Sequence, residues 1–149
     1  MIKRALRLAA VPVLISLFIT PFRFFVELAG VPTVYVGLIG LLWLTLAFSI
    51  FWGIRLADEE HPYRLLLLSL VVFSPLSRFP VFVLWWITKT WSLGTHYDIF
   101  DNWEQALVGQ LLYGSLLQII PGFLLGSLTL AIKRSGAHPL AGTMTSGTE

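Results

Sequence analysis

The chain has 149 residues, 56% of them hydrophobic and only 12% charged, with a mean hydropathy of +0.81. That apolar share exceeds what a soluble domain carries, and too little polar sequence remains to build an independent soluble domain. Cysteine is absent, which excludes disulfides, thiolate metal sites and cysteine nucleophiles. The net charge of +2 resides in cations beside apolar stretches, where they set membrane orientation rather than form a nucleic-acid surface.

Four apolar stretches, 8–28, 34–54, 65–88 and 106–132, fill most of the sequence. Each exceeds the roughly 20 residues that a helix needs to cross a hydrocarbon core of about 30 Å. Backbone in lipid must satisfy its own hydrogen bonds, so each stretch is expected to be a helix. The expected fold is an all-α integral membrane protein, a four-helix transmembrane bundle with proline-kinked third and fourth helices. Residues 1–134 form this membrane domain, and 135–149, rich in Gly, Ser and Thr, are expected to be a disordered tail.

Lys3, Arg4 and Arg7 precede the first stretch in the manner of a secretory signal. Leu28-Ala29-Gly30 is a poor cleavage site, with Arg23 and Glu27 just ahead of it, so an uncleaved span is expected. Arg23 and Glu27 lie one helical turn apart and are placed to pair; the alternative for Arg23 is a guanidinium lifted toward the headgroups. In the second stretch Thr45, Ser49 and Gly53 form a row of small residues. The connection that follows holds Asp58-Glu59-Glu60 and then His61-Pro62, which fits a helix start with proline in its first position.

The third stretch carries Arg78 between Pro75 and Pro80. A charge at the centre of a membrane helix costs roughly 2.5–3.5 kcal/mol, so it normally faces protein or water. The prolines predict a kinked crossing. A re-entrant hairpin is the alternative, and it would put Lys133 and Arg134 on the outer side. Counted outward from Leu8 and Leu65, Arg23 and Arg78 rise roughly 22 and 20 Å and so share a depth. Glu27 is expected to neutralise Arg78, Arg23 or both. The set Arg23, Glu27 and Arg78 then reads as a buried bridge fixing helix register, as a binding site for an anionic or polar solute, or as snorkelling side chains.

The loop 92–102 holds His96, Asp98 and Asp101, with Glu104 just beyond. Asp101 and Glu104 fit a variant of the capping box at the start of the fourth helix. That leaves His96 and Asp98 as weak metal candidates, too few ligands for a site, and neither metal nor cofactor is expected. In the fourth stretch Gln110, Gly114, Gln118, Gly122 and Gly126 recur every fourth residue, including one GxxxG match. This face predicts close helix packing, either within the chain or against a second copy or another membrane protein. Pro121 predicts a kink beside Gln118, and a pore-lining role is the alternative for Gln118.

With four crossings both termini share a side. That side holds Lys3, Arg4, Arg7, Arg55, Arg64, Lys133 and Arg134, against Lys89 on the other. The bias predicts cytoplasmic termini in a cell-membrane protein whose chief partner is the lipid bilayer. Trp52 and Tyr63 mark the inner interface; Tyr35, Trp91, Tyr97 and Trp103 mark the outer one. Zinc-protease, nucleophile-elbow, P-loop and dinucleotide motifs are absent from the sequence. The expected role is therefore a non-enzymatic structural or accessory membrane component. Two alternatives stand beside it: a small transporter or channel subunit using Arg23, Glu27 and Arg78, and a membrane enzyme acting at the outer face through His96, Asp98 and the same cluster.

Overall fold

The computed structural model describes residues 1–38 and 40–136, and those residues are helical apart from short connections. Helix α1 covers Ile2–Leu28, α2 Thr33–Leu38, α3 Leu41–Arg55, α4 Pro62–Trp91 and α5 Trp103–Leu107. A π-wound segment, Val108–Tyr113, leads directly into α6, Gly114–Gly136. Four runs are long and apolar enough to cross a membrane: α1, α2 with α3, α4, and α5 through α6. The first helix begins earlier than its apolar stretch and takes in Lys3, Arg4 and Arg7.

The second run is broken where the sequence predicts one helix. Gly40 is extended, at φ −94° and ψ 154°, and serves as the N-cap of α3. Two glycines, Gly37 and Gly40, fall within one turn, and each is about 1 kcal/mol less favourable than alanine in a helix. By contrast, α4 runs unbroken for 30 residues past Pro75 and Pro80. That excludes the re-entrant hairpin, because about 45 Å of continuous helix spans the whole bundle. Pro62 occupies the start of α4, as its missing N–H allows.

Only the later hairpin, α4 with the π-wound segment and α6, packs tightly, whereas α1 and α3 touch little. Helix α4 is central, with α1 on one side and α6 on the other, while α3 packs mainly on α6. The buried face of α1 is Ala5, Ala9, Pro12, Ser16, Thr20 and Phe24, a row of mostly small residues that lets it approach closely. The small-residue faces of α3 and α6 meet within the chain. A Cβ on Gly53 would lie 2.6 Å from the Gly126 carbonyl oxygen, and one on Gly122 would lie 2.9 Å from Ser49 Oγ. Gly114, Gln118, Gly122 and Gly126 are all buried, Gly122 and Gly126 between α3 and α4, and Gly114 and Gln118 against Arg78 and Ser77 of α4.

The inner half of the core is Trp52, Leu65, Leu66, Leu70, Phe73 and Leu130; the outer half is Phe24, Leu41, Val81, Leu84 and Tyr97. The outward faces stay apolar, with Phe18, Val34, Leu117 and Ile132 each more than 60% exposed.

Both ends of the described chain meet the α3–α4 connection. Arg4 pairs with Glu59, and Arg134 donates to the carbonyls of Ala57 (2.8 Å) and Glu59 (2.9 Å). This end is called inner, and the end with the 92–102 loop outer. Ser135 and Gly136 continue α6 rather than begin a tail, and the expectation for the rest of 135–149 lies outside the described residues.

Candidate anion-binding cavity

The break after α2 exposes a carbonyl that the helix no longer satisfies, and a side chain from α1 reaches it. Arg23 Nε donates to the Val36 carbonyl oxygen at 2.9 Å. The guanidinium is thereby turned from Glu27 toward the gap between α2 and α3. The expected Arg23–Glu27 pair does not form.

Arg78 approaches the same gap from α4. Its Nη1 donates to Gln110 Oε1 at 3.3 Å, across to the π-wound segment. Gly114 makes room for it: a Cβ there would lie 2.9 Å from Arg78 Nη1. Arg78 Nε is buried with no hydrogen-bond partner among the described residues. π-Winding inserts an extra residue into the turn and recurs at functional sites, and here it carries Gln110 on the cavity wall.

Arg23, Arg78 and Gln110 line one cavity of about 270 Å³, with His96 and Tyr97 from the outer loop and Gly40, Leu41 and Leu42 from the start of α3. Three positive elements therefore converge: two guanidiniums and the N-terminal end of a 15-residue helix. Among the described residues neither arginine forms an ion pair with a carboxylate. The arrangement suits an anion: guanidinium forks match the oxygens of phosphate, sulfate or carboxylate, and an anion between like charges relieves their repulsion.

Glu27 is held by the loop instead of by either arginine. It accepts a 2.7 Å hydrogen bond from the His96 backbone N–H, and its other oxygen contacts His96 Nδ1. The loop is fixed by further pairs: Lys89 with Asp98 at 3.0 Å, the Thr88 and Thr95 hydroxyls at 2.9 Å, and Trp85 Nε1 donating to the Phe100 carbonyl at 3.1 Å. His96 and Asp98 thus serve different partners, and no group of three or more His, Asp or Glu is placed to hold a metal ion among the described residues. Tyr97 is buried beneath the loop; burial pushes its phenol above the usual range, nearby Arg23 opposes the shift and Glu27 adds to it. The cap of α5 is Asn102, whose Oδ1 accepts from the Gln105 N–H at 2.9 Å, and not Asp101. A one-residue slip suffices for this, since Asp and Asn cap about equally well.

Below the cavity, Gln118 is fully buried and its Oε1 lies 3.4 Å from the Ser77 hydroxyl, which it can accept. Its amide nitrogen has no partner among the described residues. Of the sequence candidates, the cavity gathers Arg23 and Arg78 at one depth and leaves Glu27 at the loop. Gly40 at the cavity, Gln110 as an arginine acceptor and the Glu27–His96 contact are not among the sequence expectations. The Gly37–Gly40 spacing was the one available signal, since paired glycines mark a weak place in a helix.

No protein family, curated protein or solved structure matches the chain. The fold and cavity define an all-helical chain with four helices of membrane-crossing length and a cationic recess near one end of the bundle.

Proposed function

We propose that the chain is a small multi-pass protein of the cell membrane, with cytoplasmic termini and bends at the prolines of α4 and α6. Its role is non-enzymatic: it holds a small anion, or the anionic group of a small solute, in the recess entered from the outer face. The observation that carries this reading is Arg23 and Arg78 lining one cavity with no carboxylate paired to either among the described residues. Apolar outward faces on every long helix support the membrane setting, because contiguous exposed apolar surface on this scale calls for lipid. The inner cluster of cations supports the orientation. A broken helix that points the N-terminus of one half at the place of an anionic group, as α3 does at this recess, is a recurrent feature of solute sites in membrane proteins, and this supports solute binding over a purely structural role. His96 and Asp98 are each committed to a different partner, which leaves the outer-face enzyme reading without a shared reaction centre.

Thermal unfolding of the purified chain in a neutral detergent tests the proposal. Sulfate or phosphate at a hundred times its dissociation constant is expected to stabilise the fold by about 2.7 kcal/mol. Arg78→Gln and Arg23→Gln are expected to abolish that gain. A wild-type chain that gains nothing from sulfate, phosphate or small carboxylates beyond what chloride gives would refute the reading.

A further inference from the structure

A second recess opens at the inner end, far from the anion cavity. Helix α1 leans on α4 and α3 leans on α6, so the seam between α1 and α3 is only lightly closed. There the two helices leave a crevice of about 550 Å³, twice the volume of the outer cavity. Its mouth carries Arg4, Arg7 and Arg55, and its deeper wall is apolar, with Leu8, Val11 and Phe48 among the lining residues.

The charge is not balanced within the crevice. Glu59 also lines it, but Glu59 is taken by Arg4. Among the described residues Arg7 and Arg55 form no ion pair. The Arg55 guanidinium carbon lies 5.9 Å from the centre of the Phe51 ring, which holds it over the apolar wall. Arg4 to Val11, and Phe48 to Arg55, each cover roughly 10 Å of helix rise. Cations at the mouth and about 10 Å of apolar wall beneath match the order of a phosphate and an acyl chain entering a leaflet.

We infer that this crevice is a binding site for an anionic phospholipid of the inner leaflet, its phosphate between Arg7 and Arg55 and one acyl chain against Val11 and Phe48. A zwitterionic lipid brings a quaternary ammonium toward the same guanidiniums and binds less well. The inference rests on the four-crossing membrane reading but not on the outer anion cavity. A chain that left membranes in a carbonate wash without detergent would overturn the membrane reading itself, whatever lipid bound afterwards.

The test is native mass spectrometry of the full chain titrated with dioleoylphosphatidylglycerol or dioleoylphosphatidylcholine. The phosphatidylglycerol complex is expected to be favoured, and Arg7→Gln and Arg55→Gln are each expected to weaken it about fivefold, the share of one arginine at an anionic surface. Val11→Trp, which fills the apolar wall and keeps every arginine, is expected to weaken it as well. Lys3→Gln, at the same end but outside the crevice, is expected to change nothing. Equal retention of both lipids, a loss in Lys3→Gln as large as in Arg7→Gln, or full retention by Val11→Trp would each overturn the site. Sulfate stabilisation through Arg23 and Arg78 is expected to persist in all four variants, so the two sites fail separately.

Discussion

Glu27, in the last turn of α1, accepts a 2.7 Å hydrogen bond from the backbone N–H of His96, 69 residues later in the chain. The contact ties the outer loop to the first helix and draws the carboxylate away from Arg23 and Arg78. Glu27 is mostly buried, so the bond is shielded from water. Hydrogen bonds to charged groups contribute about 1.5–3 kcal/mol. Glu27→Gln is expected to lose a large part of this, read as faster amide exchange at His96 and across 92–102. Unchanged exchange in the loop would show that it is held by its other contacts alone.

Arg23 does two things at once, lining the cavity and satisfying the Val36 carbonyl. Arg23→Leu is expected to release the first half of the broken crossing, with amide exchange rising across Thr33–Leu38 while α3 stays protected. Arg23→Gln keeps a donor of shorter reach and is expected to fall between Leu and wild type.

The contact between α3 and α6 depends on missing side chains. A Cβ on Gly53 would meet the Gly126 carbonyl oxygen at 2.6 Å and Thr129 Cβ at 2.9 Å, both of which are backbone or close to it. Overpacking of this kind costs about 1–3 kcal/mol. Gly53→Ala is expected to lower the unfolding temperature measurably, whereas Gly136→Ala, with nothing within 4 Å of its Cβ among the described residues, is expected to be neutral. Equal stability of the two variants would show that α3 and α6 are farther apart.

Tyr97 is 2% exposed and its hydroxyl has no hydrogen-bond partner among the described residues. Removing an unsatisfied buried hydroxyl is neutral or stabilising, so Tyr97→Phe is expected to be at least as stable as wild type. Burial raises the Tyr97 phenol above the unfolded value of about 10. The sign follows: the fold favours the neutral phenol, so this contribution is intact below pH about 10 and falls as pH rises through the shifted value. The alkaline loss of stability is expected to be smaller in Tyr97→Phe, as measured by unfolding temperature against pH.

The long helices were legible because lipid-length apolar stretches leave few structural choices. The small-residue row Thr45, Ser49 and Gly53 meeting Gly122 and Gly126 was legible for a related reason: close approach needs residues without bulk. The matching row on α1, Ala5 to Thr20, was hidden because Pro12 and alanines carry little contrast within an apolar run. Pairing of the charges was misread. Helix spacing places Arg23 beside Glu27, but spacing is silent on a carbonyl freed in another helix or an N–H offered by a loop. Those two backbone groups decided where each charge went. Asp101 against Asn102 was a choice between adjacent equal caps, which local chemistry does not separate.

Anomalous diffraction from crystals of the protein soaked in selenate would place the anion itself. A peak is expected in the outer cavity, within hydrogen-bond reach of both Arg23 and Arg78, and is expected to be lost in Arg78→Gln. A soaked wild-type crystal with that cavity free of selenium signal, or a peak that survives Arg78→Gln undiminished, would contradict anion binding by the two arginines.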